Sequence, residues 1–265
     1  MVCGLGNSVR SFGDPYRFRT IGVNDIERAF TPTYMFCMDA PKSFAPDRLH
    51  YIQSSQASYI FTDHDLAIER PNIVRFPIRR SDTPCLDDVN TLYYTGRPIT
   101  SPYIALCLAA HMGAKAVGLI GVDFTAGHFF AADGNHKLTD MVPGIDRRFY
   151  RLGVDLLGRG VKVFNLSAES RLRAFPRLTP DEFHELQLSG MMRSWTRPAW
   201  HLHGGKGTAC PRGPPLGPGV KATPAQLTQP KRSAGATHAG CPAAPGPRNA
   251  FQNFLIQSPA SPTVF

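Results

Sequence analysis

Short apolar runs rich in β-branched and aromatic side chains recur at residues 1–3, 20–23, 34–38, 59–62, 73–76, 116–122 and 161–164. Each is closed by a polar or turn residue. Several are unbroken rather than alternating, the pattern of strands buried on both faces of a parallel sheet. Helical patterns fall between some of them. Residues 101–111 have Ser101 as N-cap, Pro102 at the first helical position and Gly113 as the stop. Residues 145–157 put Ile145, Phe149, Leu152 and Leu156 on one face and Arg147, Arg148 and Arg151 on another, with Gly158 and Gly160 ending the helix. Strands alternating with helices predict an α/β fold with a doubly wound, mostly parallel, Rossmann-like sheet over residues 1–185. Only residues 1–3 precede Gly4, against about five for an ordinary strand. The expectation is a short first strand or a start internal to a longer reading frame.

Composition divides the chain. All 20 acidic residues lie at or before Glu185, whereas residues 191–265 hold eight Lys or Arg and no acid. The first 190 residues therefore carry 21 basic and 20 acidic groups, and the excess positive charge belongs to the end of the chain. A domain that grips nucleic acid needs a basic face of its own, so no specific nucleic-acid partner is expected. Residues 186–265 are rich in Pro, Gly and Ala and read as a basic disordered tail. An out-of-frame or unselected extension reads the same way. The six cysteines are scattered, without a CxxC pair, and metal or disulfide use is not expected. With no leader and no apolar run of about 18 residues, the expected location is cytoplasmic.

Polar groups gather where the strands end. Gly4-Leu5-Gly6-Asn7-Ser8 follows the first strand, and glycines there let the backbone approach a phosphate. The loop has Val9 where a dinucleotide fingerprint has its third glycine, although Asp25 lies about twenty residues on. Asn24 closes the second strand, Asp39 the third, Asp123 the strand at 116–122, and Asn165 with Ser170 follows the last. In an open α/β sheet ligands bind outside the carboxyl ends of the strands, so these residues are candidates for one cleft. Each also has a local explanation, since Asn, Asp and Ser start turns by bonding nearby backbone. Thr100 and Ser101 open a helix that leads into the Asp123 strand. His128, Asp133 and His136 lie in the loop after it, and histidine is the side chain suited to take a proton near neutral pH. No G-x-S-x-G, GxxxxGK[ST] or HExxH segment is present.

Taken in order, these segments resemble the glycosyltransferase family 42 sialyltransferases and the related 6-hydroxymethylpterin diphosphokinase-like domains, over most of residues 1–176. Gly4-Leu5-Gly6-Asn7-Ser8-Val9 is similar to the family's G-N-G-P-S-L loop. Asn24 and Asp39 are similar to its strand-end polar residues, and Arg97-Pro98-Ile99-Thr100-Ser101 to its R-I-T-S segment with one extra residue. Ile120-Gly121-Val122-Asp123-Phe124 is similar to S-G-I-D-F, and Glu169-Ser170-Arg171-Leu172-Arg173-Ala174-Phe175 to the closing P-N-S-L-L-A-N-F. The chain departs at Leu5, at Asn7, and at Phe129 and Phe130, where the family has tyrosines that stabilise the leaving phosphate.

The resemblance implies one Rossmann-like, GT-A-like domain that binds a nucleotide-activated donor of the CMP-sialic acid type. The glycosyl group would pass to the hydroxyl of a glycan or small-molecule acceptor, with no metal and no cofactor. It assigns donor binding to Gly4, Gly6, Asn7, Ser8, Asn24, Asp39, Arg97, Thr100, Ser101, Gly121, Asn165 and Ser170. The catalytic set is Asp123 with His128 or His136 as base. Two alternatives stay open: an ATP-dependent diphosphokinase-like transfer using Mg²⁺, and a catalytically decayed nucleotide-binding protein.

Overall fold

The computed structural model describes residues 1–189 except 82, 89–90, 126 and 132–137. His136, Asp133 and most of the expected tail lie outside the described residues. Seven strands form one all-parallel sheet: β1 (Val2–Cys3), β2 (Ile21–Val23), β3 (Tyr34–Cys37), β4 (Tyr59–Thr62), β5 (Ile73–Arg75), β8 (Ala116–Ile120) and β9 (Lys162–Asn165). Their order is β5-β4-β3-β2-β1-β8-β9. Every apolar run read as a strand is one of them. β1 is short as a strand, yet its ladder reaches further: the Met1 nitrogen donates to Arg19 O and the Gly4 N–H to Ile120 O.

Among the described residues the α-helices are α1 (Pro46–Gln53), α2 (Ser101–His111) and α3 (Val142–Gly158), which lie between strands, and α4 (Pro180–Leu188), which follows β9. A second, two-stranded parallel sheet pairs β6 (Ile78–Ser81) with β7 (Leu92–Thr95) before the chain enters α2. The N-cap of α2 is Thr100 rather than Ser101, and its side chain makes no capping bond. Eight of the eleven α2 residues are buried, because it packs against β1, β2, β3 and β7. α3 starts three residues before the expected Ile145 and buries the apolar face that its periodicity predicts. α4 begins with a capping box between Thr179 and Glu182 and runs to Leu188, beyond the compositional boundary at 185. An aromatic joint ties these layers, with Phe149 of α3 in edge contact with Tyr103, Phe124 and Phe175.

Cys3, Cys37 and Cys107 are buried. Burial pushes the Cys3 and Cys37 thiols up to about 12, from an ordinary 9.0, and raises Cys107 as well. These thiols stay protonated in the fold and ionise more easily once unfolded. Their contribution to stability is intact below pH 9 and is lost as pH rises from there toward 12. Thermal unfolding across pH 7–11 is therefore expected to show a falling Tm above pH 9. Residue-resolved alkylation at pH 8 should label the partly exposed Cys85 in the native state, and Cys3, Cys37 and Cys107 only after unfolding.

Candidate functional site

β1 is the strand at which the chain's order reverses: β2 to β5 lie on one side, β8 and β9 on the other. The carboxyl ends of the strands around such a switch point are the usual ligand position in such folds. A cleft of about 470 Å³ lies there, within the range of small-molecule sites. Of the residues expected at a site, it is lined by Gly6, Asn24, Asp39, Thr100, Ser101, Gly121, Asp123 and His128. Gly4, Asn7, Ser8, Arg97, Asn165 and Ser170 do not line it.

The glycine loop is fastened to the end of β8. Asp123 is 2% exposed, and its two carboxylate oxygens accept from the Ser8 N–H at 2.7 Å and the Ser8 hydroxyl at 2.6 Å. Ser8 Oγ in turn accepts the Gly121 N–H at 2.8 Å, and the Gly6 N–H donates to Gly121 O at 2.8 Å. Gly121 has φ +67°, and a Cβ on it would lie 2.5 Å from Gly4 O. A Cβ on Gly6 would lie 2.5 Å from the Asp123 carboxylate. The glycines thus allow two loops to touch, and Asp123 with Ser8 is the clasp. Asn165 and Ser170 do similar work in the β9 segment. The Asn165 amide bonds Leu172 O and the Ser167 N–H, and the Ser170 hydroxyl donates to Val122 O.

The opposite wall is less self-satisfied. Asn24, at the end of β2, has φ +50° and is 8% exposed. Its N–H is paired with Phe36 O, and its side-chain N–H reaches Asp39 at 3.4 Å. Its side-chain oxygen is buried without a hydrogen-bond partner. Such an orphaned acceptor costs about 1–3 kcal/mol unless something donates to it. Phe124, on the β8 side, also has φ above zero, at +53°. A bulky residue there is strained, and strain of this kind gathers at functional sites. Of the three non-glycine residues with φ above zero among the described residues, Asn24 and Phe124 line the cleft and Ala67 does not.

At the mouth of α2 the Thr100 and Ser101 hydroxyls have no hydrogen-bond partner among the described residues, and both residues are 6% exposed. With Pro102 following, the first turn offers the Ser101 N–H and two hydroxyls to the cleft, on the positive end of the helix dipole.

Arg48, Phe44 and Thr125 also line the cleft, and no motif in the sequence pointed to them. Arg48 is held by Asp25, which is fully buried and accepts from Arg48 Nη2 at 2.6 Å and Arg28 Nε at 3.0 Å. Asp25, at the position where a dinucleotide fingerprint has its ribose acid, is an arginine anchor. Arg28 also pairs with Asp47, holding that carboxyl below its ordinary range. The Arg28 guanidinium stacks over Phe130 at 4.3 Å and Tyr51 at 4.6 Å. Phe130 stacks on His128 with centroids 5.2 Å apart, while the neighbouring Phe129 is 9% exposed and donates its N–H to Leu5 O. The two phenylalanines fix the loop that brings His128 to the cleft.

No family model matches the chain, and no curated protein matches it. Among solved structures, the sialyltransferase CstII from Campylobacter jejuni in complex with the substrate analogue CMP-3FNeuAc is similar at 15% identity, with a TM-score of 0.40, covering 68% of this chain and 85% of that one. A Tyr-to-Phe variant of the sialyltransferase CST-II in complex with CMP is similar at 14% identity, with a TM-score of 0.38 and the same coverage. At these values the likeness is one of sheet and helix arrangement alone.

Proposed function

We propose that the cleft binds a nucleotide-activated sugar of the CMP-sialic acid type and transfers its glycosyl group to an acceptor hydroxyl. The observation that carries the reading is the pairing of unfilled hydrogen-bonding groups across one crevice at the switch point. Asn24 presents an orphaned acceptor to the cleft, and the α2 mouth presents donors to the same cleft. A nucleotide has the complementary ends. Its base or ribose supplies the N–H or O–H that Asn24 lacks, with Asp39 beside it, and its phosphate suits the Ser101 N–H and the Thr100 and Ser101 hydroxyls. Thr125 adds a hydroxyl where Phe129 and Phe130 cannot donate. His128 is the group at the cleft suited to take the acceptor proton. The role of Asp123 in this reading is to hold the glycine loop.

A diphosphokinase-like transfer is served less well by the same geometry. Arg97, a cation that ATP phosphates would call for, is exposed outside the cleft, and both Asp123 oxygens, which a Mg²⁺ ion would need, are engaged by Ser8. The proposal is tested by thermal unfolding of the full chain with CMP, UDP and GDP. A ligand at a hundredfold its Kd adds roughly 2.7 kcal/mol. A rise with CMP is expected, and no rise with any nucleotide at millimolar concentration would overturn the reading. Release of CMP from CMP-sialic acid, dependent on His128, separates an active enzyme from a protein that only binds.

A further inference from the structure

Among the described residues that line the cleft, Arg48 carries the only guanidinium. Asp25 engages its Nε at 3.0 Å and its Nη2 at 2.6 Å. The guanidinium carbon lies over the Phe44 ring at 5.4 Å and over the Phe130 ring at 5.6 Å. The Nη1 end has no hydrogen-bond or ion-pair partner among the described residues. A guanidinium is a rigid plane, so anchoring one edge fixes the directions of the N–H groups that are left. Asp25 directly follows Asn24, so the anchor of Arg48 and the orphaned oxygen of Asn24 leave the end of β2 together.

Charge decides what these two groups can take. Asp25 is shared by Arg48 and Arg28, and Arg28 also holds Asp47. Two carboxylates thus balance two guanidiniums, and Asp39 lines the cleft as a further acid. So balanced a site has little attraction for a carboxylate or a phosphate. It offers instead one acceptor and fixed donors, with the Phe44 ring as apolar surface, the means by which a neutral base is read along its edge.

We propose that Asn24 and Arg48 select cytosine, with Arg48 setting the choice of base. The inference rests on the nucleotide reading of the cleft. Along its pairing edge cytosine carries an amino group, then N3, then O2, which is one donor followed by two acceptors. The amino N–H supplies what Asn24 Oδ1 lacks, and N3 or O2 accepts from Arg48. Uracil has O4 in place of the amino group and a proton on N3. An acceptor then meets the Asn24 oxygen and a donor meets the guanidinium, so both contacts turn unfavourable. Mispaired polar groups of this kind discriminate far better than a difference in size.

Calorimetric titration of CMP and UMP into the full chain and into its Arg48→Met and Arg48→Lys variants tests the assignment. The parent is expected to bind CMP at least about tenfold more tightly than UMP, the worth of a correctly read base edge. In Arg48→Met, CMP should weaken about 10- to 100-fold while UMP stays level or improves, so the preference collapses. Arg48→Lys keeps a cation for Asp25 but lacks the planar fork, and its preference should also fall. The CMP-to-UMP ratio separates base reading from the loss of the Asp25 ion pair, since a loosened fold weakens both nucleotides alike. Equal binding of CMP and UMP by the parent overturns the assignment and leaves the nucleotide reading standing. So does an unchanged ratio in Arg48→Met or, should that variant fail to fold, in Arg48→Lys. Binding of neither nucleotide by the parent overturns both.

Discussion

Replacing Asp25 with alanine is expected to lower the unfolding free energy by about 3 kcal/mol, since breaking a buried ion pair from one side costs roughly 3–5 kcal/mol. The reason is asymmetry. Asp25 has a fully buried side chain and binds two guanidiniums, whereas Arg28 and Arg48 keep 17% and 24% side-chain exposure. Removing the carboxylate strands Arg48 in a partly dry site and leaves Arg28 with Asp47 alone, which places the cost at the lower end of that range. For a folded unit near 190 residues this is a fall in Tm of roughly 6–12 °C. The damage should also reach the cleft, because Arg48 lines it and Arg28 supports the Phe130 ring on which His128 stacks. Thermal unfolding of the Asp25→Ala and Asp25→Asn variants checks this. A Tm within a degree or two of the parent would mean that the arginine pair does not depend on Asp25.

Asp123→Ala is expected to cost about 3 kcal/mol as well, from two charge-assisted hydrogen bonds at roughly 1.5–3 kcal/mol each, less the relief of uncharging a buried site. Both bonds come from Ser8, so the glycine loop keeps its Gly6 N–H bond to Gly121 O but loses the Asp123–Ser8 clasp, and nucleotide affinity should fall together with Tm. The combination is diagnostic. A carboxylate acting in proton transfer would leave Tm and binding nearly unchanged and abolish turnover. Ser8→Ala should reproduce the Tm loss in part, because it removes the hydroxyl that joins Asp123 to the Gly121 N–H. Unfolding curves for the two variants, each with and without CMP, decide between clasp and acid–base group.

The seven sheet strands were legible because burial on both faces leaves an unbroken apolar run. β6 was not, since its centre is Arg79-Arg80, both exposed. α1 hid for a related reason: only Ile52 of its eight residues is buried, so no apolar stripe repeats. α4 did carry a readable signal, Thr179-Pro180-Asp181-Glu182, a capping box with proline at the helix start. Within the site, strand-end position was enough to bring Asn24, Asp39 and Asp123 to one cleft. Position could not say which polar groups the fold itself would satisfy. Asp123 and Asn24 both line the cleft, yet Ser8 saturates the first and nothing reaches the oxygen of the second. Arg48 escaped notice because its placement depends on Asp25, 23 residues away and itself legible only as a ribose acid.

The central claim is that the unfilled groups of the cleft are kept for a nucleotide, and calorimetric titration of CMP into the full chain and its Asn24→Gly variant tests it most directly. Glycine keeps the backbone conformation at φ +50° and removes the orphaned oxygen. Unliganded stability should therefore stay within about 1 kcal/mol of the parent, the loss of a side chain offsetting the relief of a buried acceptor. CMP is predicted to bind the parent chain and to bind Asn24→Gly about 10- to 100-fold more weakly, the worth of one buried hydrogen bond. Equal CMP affinity in the two proteins, or none in either, would contradict the account.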